Sequence, residues 1–277
     1  MRTSIRLNSG WRFALGDHAQ AYFKGYDDGA WETVTLPHDW SVTLPFDQNC
    51  SSGTGYLPGG IGWYRKRFAL KDIGDRRVMI TFGGVYRHSR VWINSNYLGL
   101  RPFGYASFTY DITEFAVEGE NVISVRCEHQ ELADSRWFTG NGIYRDVTLT
   151  LCEPAHFVQD GVFAYTAEAD ATHAQIRVTA EAAQDVDIHC VLTDPAGQAV
   201  AEGSDTLTVQ SPMLWSPQTP TLYTLKVSAL QNGKETDTVQ IPFGIRTFRF
   251  DADKGFFLNG TNMKLRGVCL HHDAGVL

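Results

Sequence analysis

What this sequence of 277 residues lacks narrows it quickly. No apolar run approaches the roughly 20 residues that a membrane helix needs, so no membrane span is expected. Met1 to Gly10 alternates polar and apolar residues and holds no apolar core of about 7–15 residues such as a secretory leader carries. The cysteines, Cys50, Cys127, Cys152, Cys190 and Cys269, are widely spaced and odd in number. No CxxC pair occurs among them, so the usual zinc pattern is missing. They read as free, mostly buried thiols in a reducing, cytoplasmic compartment, and a periplasmic or secreted home requires a leader trimmed before Met1. Basic residues are in deficit, 24 Lys and Arg against 31 Asp and Glu, for a net charge of −7. A nucleic-acid partner needs a basic face that this chain never assembles.

The content itself is ordinary for a globular chain, at 43% hydrophobic and 20% charged residues. From Met1 to about Cys152 there is almost no helical periodicity. Short strands are expected at Trp63 to Leu70, Arg77 to Phe82, Arg90 to Asn94, Asn121 to Cys127 and Asp146 to Leu151. Turn chemistry at Gly83-Gly84, at Asn94 to Asn96 and at Glu118 to Asn121 bounds them. Many short strands without intervening helices imply a two-sheet jelly-roll sandwich over residues 1–152.

A second all-β region covers 153–246. Gln175 to Ala180 and Asp187 to Leu192 alternate, and Asp194-Pro195-Ala196-Gly197 has proline to preset φ and glycine for the reversal. Leu222 to Leu230 and Thr236 to Phe243 flank Gln231-Asn232-Gly233-Lys234, whose Asn-Gly marks a hairpin. Six or seven strands in such a length fit an immunoglobulin-like sandwich, although the Cys-Trp-Cys hallmark of antibody domains is absent. Residues 247–277 then show two strands around Asn259-Gly260, followed by Lys264 to Asp273. The apolar Leu265, Val268, Cys269 and Leu270 read as a short buried strand ending in His271-His272-Asp273. Polar groups at the carboxyl end of a strand are what the first strand of a (β/α)₈ barrel presents, and the barrel itself, about 250 residues, is not in the sequence.

Three sets of residues resemble the family 2 glycoside hydrolases, the group of β-galactosidases, β-glucuronidases and β-mannosidases. Leu36-Pro37-His38-Asp39-Trp40, Gly62 through Phe68, and Asp134 through Val147 are similar to the family's sugar-binding domain. Leu214-Trp215-Ser216-Pro217 with Pro220-Thr221-Leu222-Tyr223 resembles its immunoglobulin-like domain. Gly255 through Gly260, Arg266-Gly267-Val268 and His271-His272-Asp273 resemble the start of its barrel. The resemblance runs in the family's order over almost the whole chain. It implies a retaining exo-glycosidase acting on terminal β-galactosides, with β-glucuronide and β-mannoside as alternatives. It also implies that both catalytic glutamates lie downstream of Leu277, so no catalytic residue is expected in this chain. Assembly as a homo-oligomer, and magnesium or sodium near the barrel, are implied for the longer enzyme. These residues themselves call for no metal or cofactor.

Within the resemblance, Asp134 is the sugar-contacting carboxylate, with Arg136 and Trp137 beside it and His271 and Asp273 lining the pocket of the terminal sugar. The plainer alternative for Asp134 and Arg136 is a solvated loop ion pair. For His271 and Asp273 it is a network that only holds the fold. Alternation points His272 away from its neighbours, which disfavours a His-His-Asp metal site. Trp137 and Tyr56 are candidates for a stacking platform, whereas Trp11, Trp40, Trp63 and Trp92 belong in the core. The loop from Asn49 to Gly62, with five glycines, is either a flap or an ordinary surface loop. Arg145-Asp146 reads as a structural ion pair and Pro37 to Trp40 as a sandwich corner. A free-standing carbohydrate-binding module or a spacer protein are the competing classes.

Overall fold

The computed structural model of the protein describes residues 1–130, 135 and 137–270. They are almost entirely β, and they form two compact units, one over residues 3–151 and the other combining residues 1–2 with 152–268.

In the first unit, β1 (Thr3–Arg6), β2 (Trp11–Leu15), β3 (Glu32–Val34), β4 (Gly60–Leu70) and β5 (Arg77–Phe82) are followed by a second run of strands. These are β6 (Ser89–Ile93), β7 (Asn96–Arg101), β8 (Phe108–Asp111), β9 (Gly119–His129) and β10 (Val147–Cys152). They make a four-stranded sheet, β1-β10-β5-β8, and a six-stranded sheet, β3-β2-β4-β9-β6-β7. Inward residues of the two meet in one core that includes Trp11, Tyr64, Ile80, Phe82, Val125 and Leu149. The expected jelly-roll sandwich is the observed one.

Strand β4 departs from simple alternation, because Trp63, Tyr64 and Arg65 are all buried. Tyr64 faces the sandwich core. Trp63 and Arg65 face outward and are roofed by residues of the 17–31 segment, with Ala21 and Trp31 packed against Trp63. The fully buried Arg65 guanidinium holds that roof in place. It donates from Nε to Asp28 at 2.7 Å, to Ser124 Oγ at 2.9 Å, to the carbonyls of Phe23 and Lys24 at 3.0 and 3.1 Å, and to that of Ala21. A buried cation persists only when every donor is matched in this way.

The second unit carries β11 (Phe157–Ala169), β12 (His173–Ala182), β13 (Asp187–Thr193), β14 (Ala199–Gly203), β15 (Thr206–Gln210), β16 (Tyr223–Gln231) and β17 (Lys234–Phe243). A three-stranded sheet, β11-β12-β15, and a four-stranded one, β14-β13-β16-β17, enclose a core with Phe157, Ile176, Leu192, Leu207 and Val227. This is the immunoglobulin-like sandwich. Both central residues of the Asn232-Gly233 turn have positive φ, 53° and 74°, as a two-residue hairpin of the mirror-image type requires. A small meander, β18 (Phe248–Asp251), β19 (Gly255–Leu258) and β20 (Thr261–Asn262), follows, with the same turn at Asn259-Gly260, φ 48° and 78°.

The stretch after it differs from its expectation. Lys264 to Leu270 forms no strand, and Leu265, Val268 and Leu270 are 65%, 85% and 90% exposed. The apolar residues set what the segment is able to bury; among the described residues no strand lies beside it to complete a ladder.

Removing the carboxylate from the Arg65 site leaves a buried charge uncompensated. Asp28→Asn is therefore expected to cost about 3–5 kcal/mol of stability, read by urea denaturation of the chain.

Candidate carbohydrate-contacting site

Strand β9 ends at the buried His129, and the chain returns through Phe138, Thr139, Gly140, Asn141, Gly142 and Ile143, all buried. The returning segment is tied down on both sides. Tyr86 and Gly142 exchange backbone hydrogen bonds at 2.9 and 2.7 Å, and His38 N donates to Ile143 O at 2.9 Å. Gly142 has φ +93°, and a Cβ there would stand 2.1 Å from the Tyr64 hydroxyl. Only glycine fits.

A directed chain of side-chain bonds closes the base of the loop. His129 Nδ1 donates to Asn141 Oδ1 at 2.6 Å, Asn141 Nδ2 donates to Ser41 Oγ, and Ser41 Oγ donates to Pro58 O at 2.8 Å. It fastens both ends of the 130–141 segment to the 41–58 segment. Beside it lies a cavity of about 240 Å³ lined by Thr54, Leu57, Phe138, Thr139 and Asn141, with Cys50 at its margin. Burial, with the nearby Asp47 carboxylate adding to it, pushes the Cys50 thiol up. The cis Leu36-Pro37 bond leads into His38, whose Nδ1 is 2.8 Å from the Tyr64 hydroxyl, and into Asp39, which accepts from Ser41 N at 2.9 Å. Burial lowers the His38 pKa, with Glu32 opposing, and burial raises that of Tyr64 well above the ordinary phenol value.

Of the residues expected to touch sugar, Asp134, Arg136, His271 and Asp273 lie outside the described residues, as does His272. Trp137 is placed at the surface, 41% exposed, with its indole N–H donating to the Tyr105 hydroxyl at 3.1 Å. Tyr105 also contacts Tyr86, centroids 5.3 Å apart, and Phe103, at 5.8 Å. The aromatic rim beside the loop is therefore Trp137, Tyr105 and Phe103. Tyr56, named with Trp137 on sequence grounds, is half-buried in a left-handed turn, φ 61°. Tyr105 and Phe103 were missed, and the available signal was Pro102-Phe103-Gly104-Tyr105, two aromatics around a glycine between strands. Its Gly104 must lack a Cβ because the Tyr86 ring would lie 2.2 Å away.

One ion pair is corrected. Asp146 bonds to Arg6 at 3.3 Å and accepts from Asn8 at 2.7 Å, while the Arg145 guanidinium lies over the Tyr144 ring at 5.6 Å. Sequence neighbours in extended chain point apart, which is why Arg145 and Asp146 do not meet. Trp11, Trp40 and Trp63 are buried, and Trp92 is half-buried. Among the described residues no three His, Cys, Asp or Glu side chains converge as a metal site requires.

Two family profiles match this architecture. "Glycosyl hydrolases family 2, sugar binding domain" spans residues 5–153, and "Glycosyl hydrolases family 2" spans 156–246. The chain belongs to glycosyl hydrolase family 2. Among family 2 relatives, a β-galactosidase from Bacteroides ovatus is 40% identical over 98% of this chain and 35% of its own length. A putative β-glucuronidase from Formosa agariphila is 37% identical over 99% of this chain and 28% of its own. The crystal structure of a β-glycosidase from Bacteroides vulgatus superposes with a TM-score of 0.91 at 35% identity, over 96% of this chain and 37% of that one. The chain thus spans about a third of the length of these relatives.

Asn141→Ala cuts the bonded chain in the middle and strands the buried partners. A loss of about 1–3 kcal/mol is expected in denaturant titration. A second expectation concerns pH. The folded imidazole of His38 binds its proton less readily than in the unfolded chain, so stability falls as pH drops from about 7 through the histidine range. His38→Gln is expected to flatten that slope in melting temperatures taken between about pH 7 and 5.

Proposed function

We propose that this chain is the sugar-contacting portion of a retaining exo-glycosidase that removes terminal β-galactosyl residues, and that it does not hydrolyse them alone. Family 2 membership carries the hydrolase class. The β-galactoside reading is supported most by the 40% identity to the Bacteroides ovatus β-galactosidase along nearly the whole chain. In this reading one carboxylic acid protonates the leaving oxygen while a second, about 5–5.5 Å away, attacks the anomeric carbon. Both come from a barrel beyond this chain. The barrel needs about 250 residues, which the greater length of the relatives accommodates.

The chain's own contribution is recognition. Asp134 accepts hydrogen bonds from sugar hydroxyls, and its negative charge strengthens each of them. Arg136 and Trp137 flank it, His271 hydrogen-bonds where positive charge develops in the transition state, and Asp273 holds a further hydroxyl. The bonded base from His129 to Pro58 supports this reading, since it fixes described residues on either side of Asp134 in the sequence. Trp137 and Tyr105 add an exposed aromatic surface of the kind that pyranose rings stack on.

A β-glucuronide is the second reading, favoured by the β-glucuronidases among the relatives. Such a substrate carries a carboxylate and demands an arginine or lysine to grip it. Turnover of 4-nitrophenyl β-galactoside and β-glucuronide by a protein extended to the relatives' length separates the two. The galactoside is expected to be the better substrate, and preference for the glucuronide replaces the first reading with the second. Asp134→Ala in that protein is expected to lower kcat/KM about 10- to 100-fold, as loss of a charged hydrogen bond does. Turnover by the 277-residue chain itself overturns the division of labour.

A further inference from the structure

The roof that Arg65 holds covers only part of the outer face of the six-stranded sheet. Where it stops there is a groove of about 520 Å³ between Asp17, Tyr22, Arg90, Trp92, Arg126 and Glu128. Its floor is aromatic. Trp92 stacks on the buried Trp63 at 5.3 Å and 21°, and Tyr22 stacks on Trp92 at 5.8 Å and 28°. Tyr97, 53% exposed, extends the surface from the next strand, 5.4 Å from Trp92.

The charged groups beside that floor are arranged at some cost. Register sets Arg90 on β6 directly opposite Arg126 on β9, and like charges in that position destabilise a sheet. Glu128 offsets the repulsion by bridging the two, accepting from Arg90 at 2.9 Å and also from Arg126. Asp17 comes in from the roof and accepts from Arg126 twice, at 3.2 Å each, and from the Trp63 indole at 3.3 Å. The arginines hold both carboxylates below their usual range, so all four groups stay charged at neutral pH. Their sum is zero. Arg90 spends one nitrogen on Glu128, and the rest of its planar fork remains at the groove wall.

An aromatic floor with donors and acceptors at its edge and no net charge matches the surface of a pyranose. The ring offers an apolar C–H face and a rim of hydroxyls that both give and accept. An acidic glycan is disfavoured, because each guanidinium is already matched by a carboxylate. We propose that this groove binds a neutral oligosaccharide, stacked on Trp92 and Tyr97, with its hydroxyls held by Arg90, Glu128 and Asp17. The inference rests on the groove itself and stands whichever glycoside the longer protein cleaves.

The test is direct binding to the 277-residue chain, by tryptophan fluorescence and saturation-transfer NMR. The probes are the β-1,4-linked tetraoses of galactose, glucose and mannose, with an oligogalacturonate of the same length as the acidic comparison. At least one neutral tetraose is expected to bind, and both Arg90→Gln and the surface change Tyr97→Ser are expected to weaken it about tenfold, the value of one lost contact of this kind. Tyr97 is exposed, so its variant keeps the test valid if Arg90→Gln disturbs the ion network. The proposal is overturned if no neutral tetraose binds, if both variants bind as the parent does, or if the acidic oligomer binds better.

Discussion

A single buried cation organises the first sandwich. Arg65 sits in the middle of β4, on the side of the sheet that faces away from the main core, and nothing in a two-layer sandwich requires that side to be covered. By drawing Asp28 and a set of backbone carbonyls onto itself, it converts the 17–31 segment from a surface excursion into a third layer over part of the sheet. Trp63 is buried as a result, with Ala21 and Trp31 against it. The interaction is charge-dependent and non-local, since the carbonyls are gathered by one guanidinium and not by a ladder. The edge of that layer also sets where the aromatic and ionic groove begins.

At another margin of the same unit, a chain of side-chain hydrogen bonds does the positioning. The bonded chain from His129 through Asn141 and Ser41 to Pro58 passes from imidazole to carboxamide to hydroxyl to backbone carbonyl, with no carboxylate or guanidinium among its links. Buried hydrogen-bonded chains resist rearrangement because each link, once broken, leaves a desolvated polar group behind. Close approaches at Gly142 and Gly104, where ring atoms occupy the space of a side chain, add steric exclusion to the same end. The exposed Trp137 and Tyr105 rings therefore stand on a stiff base, and recognition groups work best when their supports do not move.

Much of this was legible in the residues, and the failures have definite physical causes. Turn chemistry was reliable: Asn232-Gly233 and Asn259-Gly260 have the positive φ pairs that their composition implied, and Gly197 closes its turn on Asp194 at φ 86°. The all-β class and both sandwiches followed from strand spacing. Arg65 was visible only as part of a family-like motif, because alternation assigns an outward strand residue to solvent and says nothing of a distant segment folding over it. Arg145 and Asp146 were paired by adjacency, where extended backbone sends neighbours to opposite faces. Leu265 to Leu270 shows the other limit, since an apolar pattern specifies a wish to be buried and not the presence of a surface to meet it. Tyr105 became evident only when Trp137 was seen to bond it.

The two Asn-Gly turns, alike in backbone, differ in chemical durability. An asparagine followed by glycine loses ammonia when the next backbone nitrogen attacks its side-chain carbonyl, and the small glycine does nothing to hinder the approach. At Asn259 the carboxamide is pinned, accepting from Thr247 N and donating to Trp215 O, both at 3.0 Å. Asn232 is exposed at its hairpin tip. Deamidation will accumulate at Asn232 first, placing a negative charge and a kinked isoaspartyl linkage there while Asn259 keeps its amide.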